Sequence, residues 1–253
     1  MEAYGGGDCL KPPLIRTGID GRIDNPVLTL PPRGRAHFPW FDVPSFASLR
    51  QFHACSAIVI STFAAVHLAN HLAALAGIKA HIAFMDVSRS VYRLPAIEGV
   101  LLACVAFQIG SGLIFLARRW GKRRGLVAWL QAGAGAYLAL FLLVHVGAIL
   151  YGRHALHLDT NFYFAAAGLH VPPFELFFAP YYFLAVVALF AHLACAFYWQ
   201  ANNSGKAAQR ILFVTPILFG MAIGALIVLT MSGRFYPLDI PALYKASYTH
   251  ASA

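Results

Sequence analysis

Residues Leu126–Tyr151 read LVAWLQAGAGAYLALFLLVHVGAILY, without a single Asp, Glu, Lys or Arg. An α-helix needs about 20 predominantly apolar residues to cross a roughly 30 Å hydrocarbon layer, and this run is long enough. A backbone inside lipid must satisfy its own hydrogen bonds, so a helix is the element such a run forms. Four further stretches qualify on the same grounds: Gln51–Ile78, Ala96–Ala117, Phe177–Tyr198 and Ile211–Met231. Five spans predict an all-α integral membrane five-helix bundle over residues 50–231. A tail over residues 1–49 precedes it and another over 232–253 follows it.

The composition agrees. Of 253 residues, 59% are hydrophobic and 11% charged, against about 25% charged in a soluble domain. The first 49 residues are rich in Pro and Gly and hold both charge signs, with no apolar core and no secretory signal. The net charge of +9 fits loop cations that fix orientation better than a nucleic-acid partner.

Those cations are unevenly placed. The second-to-third connection carries Arg118, Arg119, Lys122, Arg123 and Arg124, and the fourth-to-fifth carries Lys206 and Arg210. With Lys11, Arg16, Arg22, Arg33, Arg35 and Arg50 of the tail they form the positive-rich side. The other side holds Lys79, Arg89, Arg93, Arg153, Arg234 and Lys245. The richer side stays cytoplasmic, which puts the N-terminus inside and the C-terminus outside. The long outer connection Gly152–Leu176 contains the aromatic stretch Asp159–Phe164 and then Pro172 and Pro173. Cys9, Cys55, Cys104 and Cys195 lack metal-ligand spacing and receive no role.

Histidines are the ionisable residues that lie deep in the spans: His53, His67, His71, His145 and His192. Intramembrane ionisable residues mark function by default, although a single histidine can instead bond across helices to a hydroxyl or a carbonyl. His67 and His71 are four apart and share one helix face. Both fall in the outer half of the first span, and His145 falls in the outer half of the third. Two imidazoles at one depth on two helices suit the axial positions of a haem iron. His67 and His145 are the preferred haem pair, with His71 as the substitute for His67. His192 in the fourth span has no histidine opposite it on the second, which carries Gln108 at that depth. An amide is not a usual haem ligand, and an interhelical hydrogen bond is the favoured reading of Gln108. At the inner start of the first span, Arg50, His53 and Ser56 can bind a quinone carbonyl or simply anchor the interface. Glu98 reads as a helix N-terminal cap. No paired carboxylates, nucleophile elbow or phosphate loop offer a catalytic group, and no repeat or buried charge pair supports a transporter.

The order of these motifs resembles the five-helix cytochrome b subunit of di-haem succinate:quinone oxidoreductases and quinol:fumarate reductases. Arg50-Gln51-Phe52-His53 resembles the family's Arg-x-x-His opening. His67-Leu68 with Asn70-His71 resembles its first ligand segment, with the interval to the Asn-His pair one residue shorter. Phe84-Met85 and Tyr92-Arg93 through Glu98 resemble the approach to the second span, and His145-Val146 and His192 fall at the later ligands. The resemblance covers roughly residues 50–231. It implies a non-catalytic, multi-pass subunit of a bacterial inner membrane complex, carrying haem b and binding quinone. It also implies flavoprotein and iron–sulfur partners, holding FAD and iron–sulfur clusters, on the cytoplasmic face. Assembly as a homo-oligomer within membrane lipid is compatible with this. The departure is Gln108, which stands where the family's inner haem takes its second-span ligand. The outer haem, on His67 and His145, is the one the resemblance retains. The alternative is a diverged structural or assembly subunit without redox activity.

Overall fold

The computed structural model describes residues 46–249, with side chains from 48 to 248. Residues 1–45 of the expected N-terminal tail lie outside the described residues. Eight α-helices follow in order: α1 Phe46–Ala73, α2 Ile78–Tyr92, α3 Pro95–Arg118, α4 Leu126–His154, α5 Phe162–Ala167, α6 Glu175–Gln200, α7 Gly205–Met231 and α8 Ala242–Thr249. No strand occurs among the described residues. Helices α1, α3, α4, α6 and α7 are long and apolar enough to cross a membrane. The chain is therefore a multi-pass, all-helical membrane protein.

Every span extends past its apolar stretch at one end or both, and α1 and α7 start the furthest ahead of theirs. Helix α1 begins at Phe46, inside the stretch read as tail, and passes into a 3-10 turn at Ala74–Ala76. Helix α7 begins at Gly205 and includes Lys206, Gln209 and Arg210 before its apolar part. Helical hydrogen bonding does not stop where hydrocarbon does, and long cations can extend from the apolar edge toward water. The helix starts where Gly205 adopts φ +73°, a left-handed backbone that glycine tolerates.

Three helices lie outside the spans. Helix α2 occupies the connection between the first two, buries His81 and Met85, and exposes Phe84, Val87 and Val91. A short helix with one protein-facing side and an apolar outer side suits the plane of the interface. Asn161 caps α5, its side-chain oxygen accepting from the backbone N–H of Tyr163 at 2.9 Å and Phe164 at 3.4 Å. Helix α8 lies in the stretch read as a C-terminal tail.

Packing runs α1 on α3, α3 on α4, α4 on α6 and α6 on α7, with α6 and α7 in the most intimate contact. Gly220 permits that approach, because a Cβ there would come within 2.6 Å of Phe190 Cβ. The buried apolar cluster sits toward the α2 and α5 end of the bundle. It includes Phe162, Ala166, Ile223, Ile227, Met231 and Ile240. Large side chains elsewhere face outward, among them Ile58, Leu140 and Leu218, as lipid-facing surfaces require.

The bundle ends differ in charge. The starts of α1, α4 and α7 and the ends of α3 and α6 carry Arg50, Arg118, Arg119, Lys122, Arg123, Arg124, Lys206 and Arg210, with no Asp or Glu among the described residues there. All the acidic residues of the described chain, Asp86, Glu98, Asp159, Glu175 and Asp239, belong to the opposite end.

Candidate cofactor-binding site

The histidines form two layers. Near the acid-bearing end, His67 of α1 faces His145 of α4, with ring centroids 6.1 Å apart and planes at 65°. Each imidazole is backed by a phenylalanine one turn earlier. Phe63 stacks on His67 at 5.7 Å and 15°, and Phe141 stacks on His145 at 4.9 Å and 13°. The i, i+4 offset places the phenyl beside the imidazole on the same helix face and restricts its rotamers. The two Phe-x-x-x-His segments are thus matching supports on facing helices.

His71 lies beside His67, ring centroids 4.7 Å apart, and next to His81 of α2 at 5.3 Å. His81 is only 2% exposed and packs edge-on to Phe162 at 5.1 Å. Asn70 Nδ2 lies 3.3 Å from His81 Nε2. Amide nitrogens only donate, so His81 Nε2 accepts and the proton sits on Nδ1. That Nδ1 and His71 Nδ1 are buried with no hydrogen-bond partner. Burial, followed by the nearby His67 and Arg89, pushes the His81 imidazole down to about 4. His81 was missed in the sequence because it lies outside every long apolar run. The helical offset of Ile78, His81 and Met85 is the signal that could have found it.

Among the described residues no group of three or more His, Cys, Asp or Glu side chains could hold a metal ion. Two opposed imidazoles suit instead a metal that brings its own equatorial ligands. The His67 and His145 rings meet edge-on across α1 and α4, and imidazole is a donor type that a haem iron accepts. His71 makes its ring contacts with His67 and His81.

The second layer lies toward the basic end and is knitted by hydrogen bonds. Gln108 of α3 donates from Nε2 to the His53 carbonyl and to Ser56 Oγ at 2.8 Å. Ser111 donates to the Phe107 carbonyl, so the 2.7 Å contact between His53 Nδ1 and Ser111 Oγ is an imidazole N–H donating to the hydroxyl. His192 of α6 donates from Nδ1 to the Gln131 carbonyl of α4 at 3.2 Å, and a Cβ on Gly135 would come within 3.0 Å of its ring. Gln108, His53 and Ser56 therefore clamp α1 to α3, while His192 clamps α6 to α4. Arg50 is exposed at the start of α1, about one helical turn before His53 and nearly two before Ser56.

The acid-bearing end is tied by ion pairs. Arg153 of α4 bonds Glu98 in the first turn of α3, so that carboxylate joins two spans beyond favouring its own helix terminus. Arg89 of α2 bonds Asp159 at 2.8 Å, and Arg93 donates to Thr160 Oγ1 at 3.0 Å. These contacts anchor α2 and hold His81 over His71. Cys55, Cys104 and Cys195 are free thiols, and Cys9 lies outside the described residues. The chain matches no known family model, no curated protein and no solved structure.

Proposed function

We propose that the chain is the haem b-carrying membrane subunit of a succinate dehydrogenase- or fumarate reductase-like complex. It passes electrons between iron–sulfur partner subunits and membrane quinone. In this reading its basic end faces the cytoplasm of a bacterial inner membrane, where flavoprotein and iron–sulfur subunits dock. The observation that carries the proposal is the opposed pair His67 and His145, each imidazole stacked on its own phenylalanine.

His67 and His145 would hold the haem iron, and haem b, when bound, would supply one-electron redox chemistry. The protein's share is to fix two imidazoles at one depth and keep water from them. Phe63 and Phe141 do the first, and His71, His81 and Phe162 close the layer toward the surface. Arg50, His53 and Ser56 are the proposed quinone contacts at the basic end. Ser56 accepts from Gln108, and His53 donates from Nδ1 to Ser111. The test is a pyridine haemochrome assay with haem-to-protein stoichiometry on the purified chain. One b haem per chain is the expected result. A colourless protein that is fully helical overturns the redox reading.

One observation favours a second reading, a structural or assembly subunit. In the inner layer Gln108 and His192 are engaged in helix-to-helix hydrogen bonds. Packing has taken the positions where a second cofactor would need ligands. A colourless protein that still assembles with its partners would select this reading.

A further inference from the structure

The basic end contains a cleft that the redox reading does not use. It is a cavity of about 650 Å³ lined by Arg118, Arg119, Lys122, Arg123, Arg124 and Trp199. The turn after α3 supplies the cations, and the end of α6 supplies the tryptophan. No Asp or Glu lies among the described residues of that end. The ion pairs Arg89–Asp159 and Arg153–Glu98 are at the other end of the bundle.

Arg123 is the built part of the cleft. Its guanidinium lies over the ring of Trp120 at 5.3 Å and of Trp129 at 5.7 Å. Its Nη2 donates to the Leu116 carbonyl at 2.8 Å. Its Nη1 is buried and has no hydrogen-bond partner. Cation–π contact and one carbonyl fix the plane of the group, which leaves one donor edge uncommitted. Trp199 donates from Nε1 to Gln131 Oε1 at 3.1 Å, which orients its ring at the rim. Three tryptophans at one level mark the depth where a helix leaves hydrocarbon for headgroups. A fixed arginine edge beside Lys122 and Arg124, at that depth and with no carboxylate among the described residues of that end, matches a phosphodiester that stays in the membrane.

We propose that this cleft is a binding site for the phosphate of an anionic phospholipid. The headgroup phosphate takes the Arg123 Nη1 edge with Lys122 and Arg124 around it, and the acyl chains lie along α3 and α6. Free inorganic phosphate offers the same oxygen atoms without the chains. An acidic protein surface would use the same charge.

The test uses the full chain in neutral detergent micelles, with acyl-brominated phosphatidylglycerol or acyl-brominated phosphatidylcholine added at about 10 mol%. Bromine quenches tryptophan at short range, and Trp120, Trp129 and Trp199 all lie at or beside the cleft. Phosphatidylglycerol should associate roughly fivefold or more strongly than phosphatidylcholine, and K122Q/R123Q/R124Q should reduce the two lipids to parity. R124Q alone, at an exposed position that spares the tryptophan stack, should weaken the preference partway and guards against a misfolded triple variant. K206Q/R210Q, at the same end but outside the cleft, should leave the preference intact. Equal quenching by the two lipids overturns the proposal and leaves the charge for an acidic protein partner. A preference that survives in the triple variant overturns it as well. Loss of the preference to inorganic phosphate, at ionic strength matched with chloride, reassigns the cleft to the free anion and also overturns it.

Discussion

Asn70 on α1 and His81 on α2 meet through a buried side-chain hydrogen bond of 3.3 Å, and this is where the interfacial helix is fastened to the spanning bundle. Asn70 is 7% exposed and His81 2%. Replacing His81 with Ala removes that contact and its packing on Phe162 and leaves a cavity. The expected cost is about 3 kcal/mol, read as a lower apparent Tm in detergent. A variant as stable as the parent would show that α2 is held by its arginines alone.

The same histidine gives a pH dependence. The His81 imidazole lies at about 4, below its ordinary 6.5, because burial disfavours the cation. The unfolded chain binds more protons between those values, so the stability is fully present above pH 6.5 and lost as pH falls toward 4. H81F keeps an aromatic ring and cannot titrate. Its Tm should fall less over that window than the parent's, and parallel Tm-against-pH curves would contradict the burial argument.

On the haem reading, H145A should abolish the b-type absorbance, while circular dichroism reports intact helices. H71A should retain it, because it is His67 whose ring meets His145. Loss of absorbance in H71A with retention in H67A would move the α1 ligand by one turn. F141A should leave haem bound but broaden or shift the spectrum, since the stack that orients His145 is gone.

Gln108 tests the inner layer. Q108A removes two donor bonds between α3 and α1, at about 0.6–1.7 kcal/mol each in a membrane bundle. Its Tm should fall, with haem content unchanged on the redox reading. Q108H offers an imidazole toward His192, and an unchanged haem count is expected there, because His192 is committed to the Gln131 carbonyl and packed against Gly135.

Gly220 tests helix proximity. G220V forces a side chain into Phe190 and should separate α6 from α7 at about 1–3 kcal/mol. Gly110 has open space around it, so G110A should be neutral by the same measurement.

The spans were legible because the bilayer sets their length, and long apolar runs are the strongest pattern a sequence can carry. The pairing depth of His67 and His145 was legible by counting along two helices of one direction. Their phenylalanine supports were present as two Phe-x-x-x-His segments, but phenylalanine is common in apolar runs and the spacing stands out only once both helices are side by side. His81 and α2 were hidden for a different reason. An interfacial helix mixes Lys79, Asp86 and Arg89 with apolar residues, so it gives no long run, and its burial depends on Phe162 from a distant stretch. Glu98 illustrates the limit of local reasoning. Its place in the first turn of α3 is a sequence property, whereas its bond to Arg153 depends on how two helices lie together.

The segregation of acidic residues to one end has a mechanical meaning. Turning the bundle over would drag eight arginines and lysines through hydrocarbon. The acid-bearing end holds six lysines and arginines beside five carboxylates among the described residues. Charge placement thus opposes inversion of the bundle once it is inserted.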